Sequence, residues 1–209
     1  MRPSVRNVLL GFVFLTTFTR SIPSAFAQQP LSPLPADEPW RYSEVRLGLM
    51  AHDVAFAGGV ERGVDLNGEI TSSSLVDPNW TAGAPLWAQW ILHPRAHFGL
   101  EPNLNGKTSQ LYAGLTWTAI LGRDAFRPAD DFEFSFLFGP SLNDGEHSPH
   151  GPNVKALGSN VLFHIGAEIS YRITPRLALG LYFDHSSNGG FARYNASLND
   201  IGLRIGYRF

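Results

Sequence analysis

Hydrophobic and polar residues alternate along most of the chain from residue 44 onward. In the first segment Val45, Leu47 and Leu49 share one face, and Glu44 and Arg46 lie on the other. Alternation with a period of two is typical of a β-strand that separates two environments. The same pattern recurs near residues 64–70, 86–101, 110–121, 132–138, 161–171, 177–187 and 201–209. The pattern therefore predicts eight strands and almost no helix.

The composition of the two faces predicts where these strands lie. One face holds rows of large apolar residues, and the other holds glycine and charges of both signs: Glu44, Arg46, Glu69, Arg95, Glu133, Glu168, Arg172, Asp184, Arg204 and Arg208. A soluble β-sandwich is the alternative, but its strands are usually shorter and its large apolar rows are buried. Charged interior faces and apolar outer faces favour a barrel with a filled polar lumen. We predict an all-β fold, an eight-stranded antiparallel transmembrane β-barrel of the bacterial outer membrane. The last row ends at Phe209, which resembles the C-terminal strand signature of such barrels.

The N-terminal region has the features of an export signal. Arg2 and Arg6 precede a short apolar run at residues 8–18, and small residues lead to a cleavage site after Ala27. We therefore expect residues 1–27 to be a signal peptide that directs the chain to the outer membrane. Residues 28–40 contain four prolines and no periodicity. They are expected to form an extended periplasmic arm that precedes a barrel domain at residues 41–209.

Charge and cysteine content exclude several classes of function. The 18 acidic residues outnumber the 16 basic ones, and removal of a signal peptide that contains only basic charges would widen the excess. This balance disfavours nucleic-acid binding. The sequence has no cysteine, which excludes a disulfide framework and a thiol nucleophile.

The direction of the strands predicts which connections face outward. If both chain ends are periplasmic, the connections near 57–61, 102–108, 143–158 and 189–196 are extracellular. The connection at 73–85 then lies on the periplasmic side, where it is unusually long.

Two polar residues interrupt the lipid-facing row of the seventh strand. His185 and Ser187 continue the row of Leu181 and Phe183. Residues two apart on a strand point the same way, so the imidazole and the hydroxyl can approach each other as general base and nucleophile. Asn188 and the glycines that follow, Gly189 first, are candidate donors for an oxyanion. The alternative is that these side chains only line the polar rim of a barrel.

The segment DHSSNGG at residues 184–190, followed by Asn195, Asn199 and the terminal strand DIGLRIGYRF, carries a resemblance to a known family. It resembles the lipid A 3-O-deacylases of the PagL type, which are eight-stranded outer-membrane esterases. The resemblance implies that Ser187 is the nucleophile, His185 its base, and Asn188 and Asn195 substrate-positioning or oxyanion residues.

The residue expected to orient His185 differs from that of the family. The family's acid is a glutamate, and its position corresponds to Asn199. An asparagine can orient His185 but supplies no negative charge. Asp200 is the alternative acid, and it would reach the site only if a β-bulge shifted the register. Asp184 faces the lumen, where we expect it to pair with an arginine.

The resemblance implies an esterase that removes the 3-O-linked acyl chain from lipid A in the outer leaflet. Its partner would be lipopolysaccharide, and it would use neither a metal nor another cofactor. The alternative is a non-enzymatic outer-membrane barrel with a role in adhesion or envelope stability. The sequence leaves open the acyl length accepted and the presence of a homodimer.

Overall fold

The computed structural model describes residues 38–54, 60–128 and 130–209. The predicted signal peptide and residues 28–37 of the predicted arm lie outside the described residues, as do residues 57–59 of the first predicted outer loop. One helix, α1, spans Leu86–Leu92, and 3-10 turns occur at Pro39–Arg41 and Pro78–Thr81. The strands are β1 (Glu44–His52), β2 (Gly63–Ser74), β3 (Arg95–Glu101), β4 (Gln110–Arg123), β5 (Asp131–Asn143), β6 (Val161–Arg172), β7 (Leu177–Ser187) and β8 (Leu198–Arg208).

The strands form a closed antiparallel barrel. Each strand pairs with its neighbours in sequence, and β1 pairs with β8 from Glu44 opposite Arg208 to Ala51 opposite Ile201. Closure gives every strand two partners and removes open sheet edges. The predicted eight-stranded transmembrane barrel is therefore confirmed. No helix within the described ranges is long and apolar enough to cross a membrane.

The alternation of the sequence becomes an apolar outer wall and a charged lumen. Leu47 is 63% exposed on the wall, whereas its neighbour Arg46 is buried inside. Arg46 donates to Glu69 at 3.0 Å, and Arg172 donates to Glu133 at 2.8 Å. Buried charges are tolerated only when paired and hydrogen-bonded, and this network meets that condition near the chain ends.

Aromatic rings fill the lumen where glycines make room for them. The Tyr182 ring lies across Gly166, where an added Cβ would come 2.5 Å from the tyrosine oxygen. The Arg204 guanidinium lies over the ring of Tyr182, 3.6 Å from its centroid. Such packing fills this part of the lumen with side chains.

The prediction for the third strand is wrong over its first half. Residues 86–92 form α1, and the strand begins only at Arg95. Pro85 precedes the helix and Pro94 follows it, and proline favours the first turn of a helix and opposes its continuation. Trp117 on β4 donates to the carbonyl of Ile91 at 3.1 Å and holds the helix against the wall. The long connection is thus 75–94, and it contains its own structure.

The described end of the predicted arm is also not extended. Pro39–Arg41 form a 3-10 turn, and Trp40 is buried. Its ring stacks on His93 with centroids 5.1 Å apart. Trp40 therefore attaches the chain before β1 to the 75–94 connection.

The connections divide between two ends of the barrel. Residues 53–54, 60–62, 102–109, 144–160 and 188–197 meet at one end, called the loop end below. Residues 75–94, 124–128, 130 and 173–176 lie at the end that holds the start of β1 and Phe209.

We expect the loop end to face the cell exterior. Because the sequence has no cysteine, Ser148→Cys and Thr174→Cys each introduce a single thiol. A membrane-impermeant maleimide should label Ser148→Cys on intact cells and Thr174→Cys only after the outer membrane is permeabilised. The reverse pattern would place the loop end in the periplasm and would contradict this orientation.

Candidate active site

The predicted Ser–His pair is formed at the loop end of β7. The Nε2 atom of His185 lies 3.0 Å from Oγ of Ser187, the last residue of the strand. Both side chains are half-buried on the outer wall. Period two places both on the lipid side, as the sequence predicted.

Asn199 completes a chain of hydrogen bonds. It lies opposite His185 in the β7–β8 register, and its Oδ1 is 2.8 Å from Nδ1 of His185. An amide oxygen only accepts, so Nδ1 must carry the hydrogen. Nε2 is then unprotonated and accepts the hydrogen bond of Ser187. Asn199 therefore holds the tautomer that a general base needs.

Asp200 lies on the other face of β8. The register from Leu177 opposite Tyr207 to Ser186 opposite Leu198 is unbroken, so no bulge turns Asp200 outward. Its carboxylate is fully buried in the lumen and accepts from the backbone N–H of Asp53 at 2.6 Å. The structure thus brings Asn199 to His185 and keeps Asp200 away from it.

The expectation for Asp184 is wrong in part. It is buried in the lumen, as predicted, but within the described part of the chain no arginine pairs with it. Its nearest basic atom is Nδ1 of His164, at 3.9 Å from Oδ1. The arginines bind glutamates closer to the chain ends, which leaves Asp184 without one.

Asn188 organises the loop after Ser187. Its side-chain amide donates to the carbonyls of Leu157 at 2.7 Å and Tyr194 at 2.6 Å. Its own Oδ1 accepts from Gly190 at 2.9 Å, and its backbone N–H donates to Oδ1 of Asn195 at 3.0 Å. All these groups are occupied, so Asn188 positions the loop and is not free to bind an oxyanion.

Two candidate donors remain beside Ser187. Among the described residues, no hydrogen bond occupies the Gly189 N–H or the Nδ2 of Asn195. Gly189 has a φ of +66°, a left-handed conformation that favours glycine. The Oδ1 of the exposed Asn195 accepts from the Asn188 N–H, which is the backbone amide that directly follows Ser187.

Ion pairs and hydrogen bonds tie the outer connections together above the site. Glu61 accepts from the Thr108 hydroxyl at 2.8 Å and from the Lys155 N–H at 2.7 Å. The Lys155 ammonium pairs with Asp53. Burial alone would raise the pKa of Glu61, but the neighbouring His52 and the hydrogen bonds from Lys155 and Thr108 lower it to about 2. Glu61 is therefore charged at neutral pH and links three connections.

An apolar groove of about 390 Å³ opens on the outer wall next to Ser187. Phe163, which faces Ser187 in the β6–β7 register, lines it, and the Phe191 ring lies 6.0 Å from the Phe163 ring. The rest of the lining is Phe138, Gly139, Pro140, Gly158, Ser159, Val161, Leu162, Asn188 and Ala192. This groove was not predicted from the sequence, in which its one signal is the apolar pair 191–192 within a polar loop.

A second serine–histidine pair lies inside the barrel. Ser186 is fully buried and 3.1 Å from Nδ1 of His164, whose Nε2 lies 3.0 Å from the Tyr182 hydroxyl. This pair has no access to lipid. The described side chains that cluster at metal-ligand spacing also lie in the lumen, around Asp200.

Fold and site together define a class of protein: an eight-stranded outer-membrane barrel with a Ser–His–Asn constellation on its lipid-facing wall. The model of the family "Lipid A 3-O-deacylase (PagL)" matches residues 75–208, and the chain belongs to this family.

The chain is similar to several solved structures at low sequence identity, and the structure of PagL shows the same fold. The outer-membrane enzyme PagL is 12% identical, with a TM-score of 0.55 over 78% of this chain and 98% of that one. Neisserial surface protein A is 10% identical, with a TM-score of 0.47 over 80% and 96%. The N-terminal barrel domain of OprF from Pseudomonas aeruginosa is 11% identical, with a TM-score of 0.45 over 81% and 98%. No curated protein matches the chain significantly in sequence.

Proposed function

We propose that this protein is a lipid A 3-O-deacylase that works by serine catalysis. The observation that carries the proposal is the hydrogen-bond chain from Asn199 through His185 to Ser187 on the lipid-facing wall. Membership of the family supports the substrate. A non-enzymatic barrel would give this chain of contacts no role.

The geometry supports the following mechanism. Nε2 of His185 takes the proton of Ser187 as Oγ attacks the ester carbonyl carbon, and the Gly189 N–H and the Asn195 amide bind the oxyanion. The imidazolium then gives its proton to the leaving sugar oxygen, and an acyl-serine remains. Water, deprotonated by the same histidine, releases a 3-hydroxy fatty acid and restores the serine. No step needs a metal or another cofactor.

The groove supports the choice of a lipid substrate. It lies beside Ser187 and is lined by aromatic and aliphatic side chains on the outer wall. An acyl chain within the bilayer can enter it sideways while the ester reaches the serine at the membrane surface. Because the chain is already surrounded by hydrocarbon, the groove would hold it through close packing contacts and not through removal of apolar surface from water.

Mass spectrometry of lipid A tests the proposal. Purified protein in detergent micelles, mixed with purified lipopolysaccharide, should remove one primary 3-hydroxyacyl chain, and fragmentation should assign the loss to a 3-O ester. Phospholipid in the same micelles serves as a comparison substrate. Unchanged lipid A with a folded barrel, judged by heat-modifiable migration on gels, would reject the function.

We also expect the groove to select long acyl chains. Ala192→Trp places a large ring in the groove lining and should lower kcat/KM for lipopolysaccharide by about tenfold, since small changes in apolar pocket volume discriminate by 10–200-fold. Turnover of a p-nitrophenyl acetate ester, which needs no groove, should stay near that of the native protein. Ala82→Trp, an equal change on the exposed 75–94 connection, is the control. Equal losses on both substrates would show that the groove does not hold the acyl chain.

A further inference from the structure

The charge of the lumen differs between the two ends of the barrel. Near the chain ends, arginines bind glutamates directly, as in the Arg172–Glu133 pair at 2.8 Å and the Arg208–Glu133 pair at 2.7 Å. At the loop end the fully charged buried groups are carboxylates: Asp53, Glu61, Asp65, Glu101, Asp184 and Asp200. This end therefore has an excess of buried negative charge.

Three of these carboxylates meet at one point. Glu101 is the last residue of β3, while Asp184 and Asp200 face each other across β7 and β8. Each has one oxygen within 4.8 Å of an oxygen of the other two. Glu101 is 1% exposed, and both aspartates are 0% exposed. The topology thus brings strands that are distant in sequence to one shared group of acidic side chains.

Most oxygens of this group lack a hydrogen-bond partner. Within the described ranges, nothing donates to either oxygen of Glu101, either oxygen of Asp184, or Oδ2 of Asp200. The 3.9 Å between His164 and Asp184 is too long for a hydrogen bond. A buried carboxylate without donors is strongly unfavourable, and almost all buried polar atoms have partners. These oxygens therefore point to a missing cationic partner.

The neighbouring histidine does not fill this role. Nδ1 of His52 lies 2.8 Å from Asp65 and 3.4 Å from Oδ1 of Asp200. The other oxygen of Asp65 accepts from Asn103 at 2.7 Å. His52 is thus paired with Asp65. The Oδ2 atom of Asp200 stays without a hydrogen-bond partner among the described residues and belongs to the group formed with Glu101 and Asp184.

We propose that Glu101, Asp184 and Asp200 bind one divalent cation, Ca²⁺ or Mg²⁺, inside the loop end of the barrel. Oxygen-only ligands select hard cations, and thiolate or imidazole ligands are not part of the group. Oxygens that bind one Ca²⁺ ion at its usual bond length of about 2.4 Å lie no more than about 4.8 Å apart. The three carboxylates each offer an oxygen within that limit of the other two.

The position of the site gives the ion a structural role. Asp184 directly precedes His185 on β7, and Asp200 directly follows Asn199 on β8. The two aspartates point into the lumen, whereas His185 and Asn199 meet on the outer wall. An ion that holds the two aspartates together therefore fixes β7 against β8 behind the proposed catalytic pair. It contacts no substrate, and its existence does not depend on the proposed function.

Ion binding can be measured without an activity assay. The full chain, refolded in lipid-free detergent and treated with EDTA, is titrated with Ca²⁺ or Mg²⁺ alone, and bound metal is counted by mass spectrometry after gel filtration. We expect about one ion per chain. The unfolding temperature, followed by heat-modifiable gel migration, should rise by about 5 °C or more at saturating ion.

Neutral variants separate an ion site from a general structural role. Glu101→Gln and Asp184→Asn should lose the bound ion and its thermal shift. In EDTA they should be at least as stable as the native chain, because they remove repulsion between buried charges. Glu146→Gln, an exposed loop residue, should keep the ion and the shift. Ser187→Ala should also keep both, which separates this site from the proposed catalysis.

Two results would overturn the proposal. One is a native chain with no bound ion and no response to either cation, which would mean that the three carboxylates share protons instead. The other is an undiminished thermal shift in Glu101→Gln, which would place the ion elsewhere.

Discussion

Ser187→Ala is expected to lower lipid A deacylation on the order of 10⁴-fold and to leave the barrel folded. The substitution removes only the hydroxyl, which lies on the outer wall. Within the described part of the chain, the hydrogen-bond partner of this hydroxyl is His185 at 3.0 Å. His185→Ala should lower the deacylation rate by a similar factor, because the nucleophile and its base act as a unit. For the same reason the double variant should be no slower than either single variant. The measurement is the initial rate of 3-hydroxy fatty acid release from purified lipopolysaccharide.

Ser186→Ala is the matched control for this prediction. The neighbouring serine points into the lumen and contacts His164, so its loss should cost about 1 kcal/mol of folding free energy and little activity. Heat-modifiable migration checks folding of all three variants. If Ser186→Ala abolished turnover while Ser187→Ala retained it, the catalytic face would be the lumen, and the proposed mechanism would be wrong.

The barrel was predictable because the membrane imposes a period of two on each strand. Arg46 must point to the lumen and Leu47 to lipid, and this requirement is visible in every strand without knowledge of its partners. The same rule placed His185 and Ser187 together, since only their own strand is involved. Features that arise within one strand can thus be predicted from the sequence alone.

The helix α1 was not predictable by the same rule. In its sequence, LWAQWIL, apolar residues lie at both strand-like and helix-like spacings, so periodicity does not decide between them. The flanking prolines, Pro85 and Pro94, were the better signal. They mark the ends of a segment that is not part of the sheet. Its residues therefore do not have to alternate between the lumen and the lipid.

Contacts between strands depend on register, which the alternation does not specify. Alternation indicates that Glu101, Asp184 and Asp200 all face inward, but not that they meet at one height. The groove beside Ser187 likewise combines β5, β6 and two loops. Asn199 was predicted by the resemblance to a family, and the unbroken register from Tyr207 to Leu198 supports it over Asp200.

Asn199 is the remaining test of the site, because the family's glutamate is absent there. Asn199→Ala should lower kcat by about tenfold to a hundredfold, since the 2.8 Å contact that orients His185 is worth about 1.5 to 3 kcal/mol. KM should change little, because the lost contact does not touch substrate. Asn105→Ala, which removes an outer-loop amide, is the control.

Asn199→Asp is expected to retain or raise kcat. A carboxylate at the same position accepts the same Nδ1 hydrogen and also stabilises the imidazolium that forms when Ser187 loses its proton. The comparison of Ala, Asn and Asp at this one position therefore separates orientation from charge: Ala loses both, Asn supplies the first, and Asp supplies both. Full turnover by Asn199→Ala would show that neither effect operates through this residue, and that His185 is held by the strand alone.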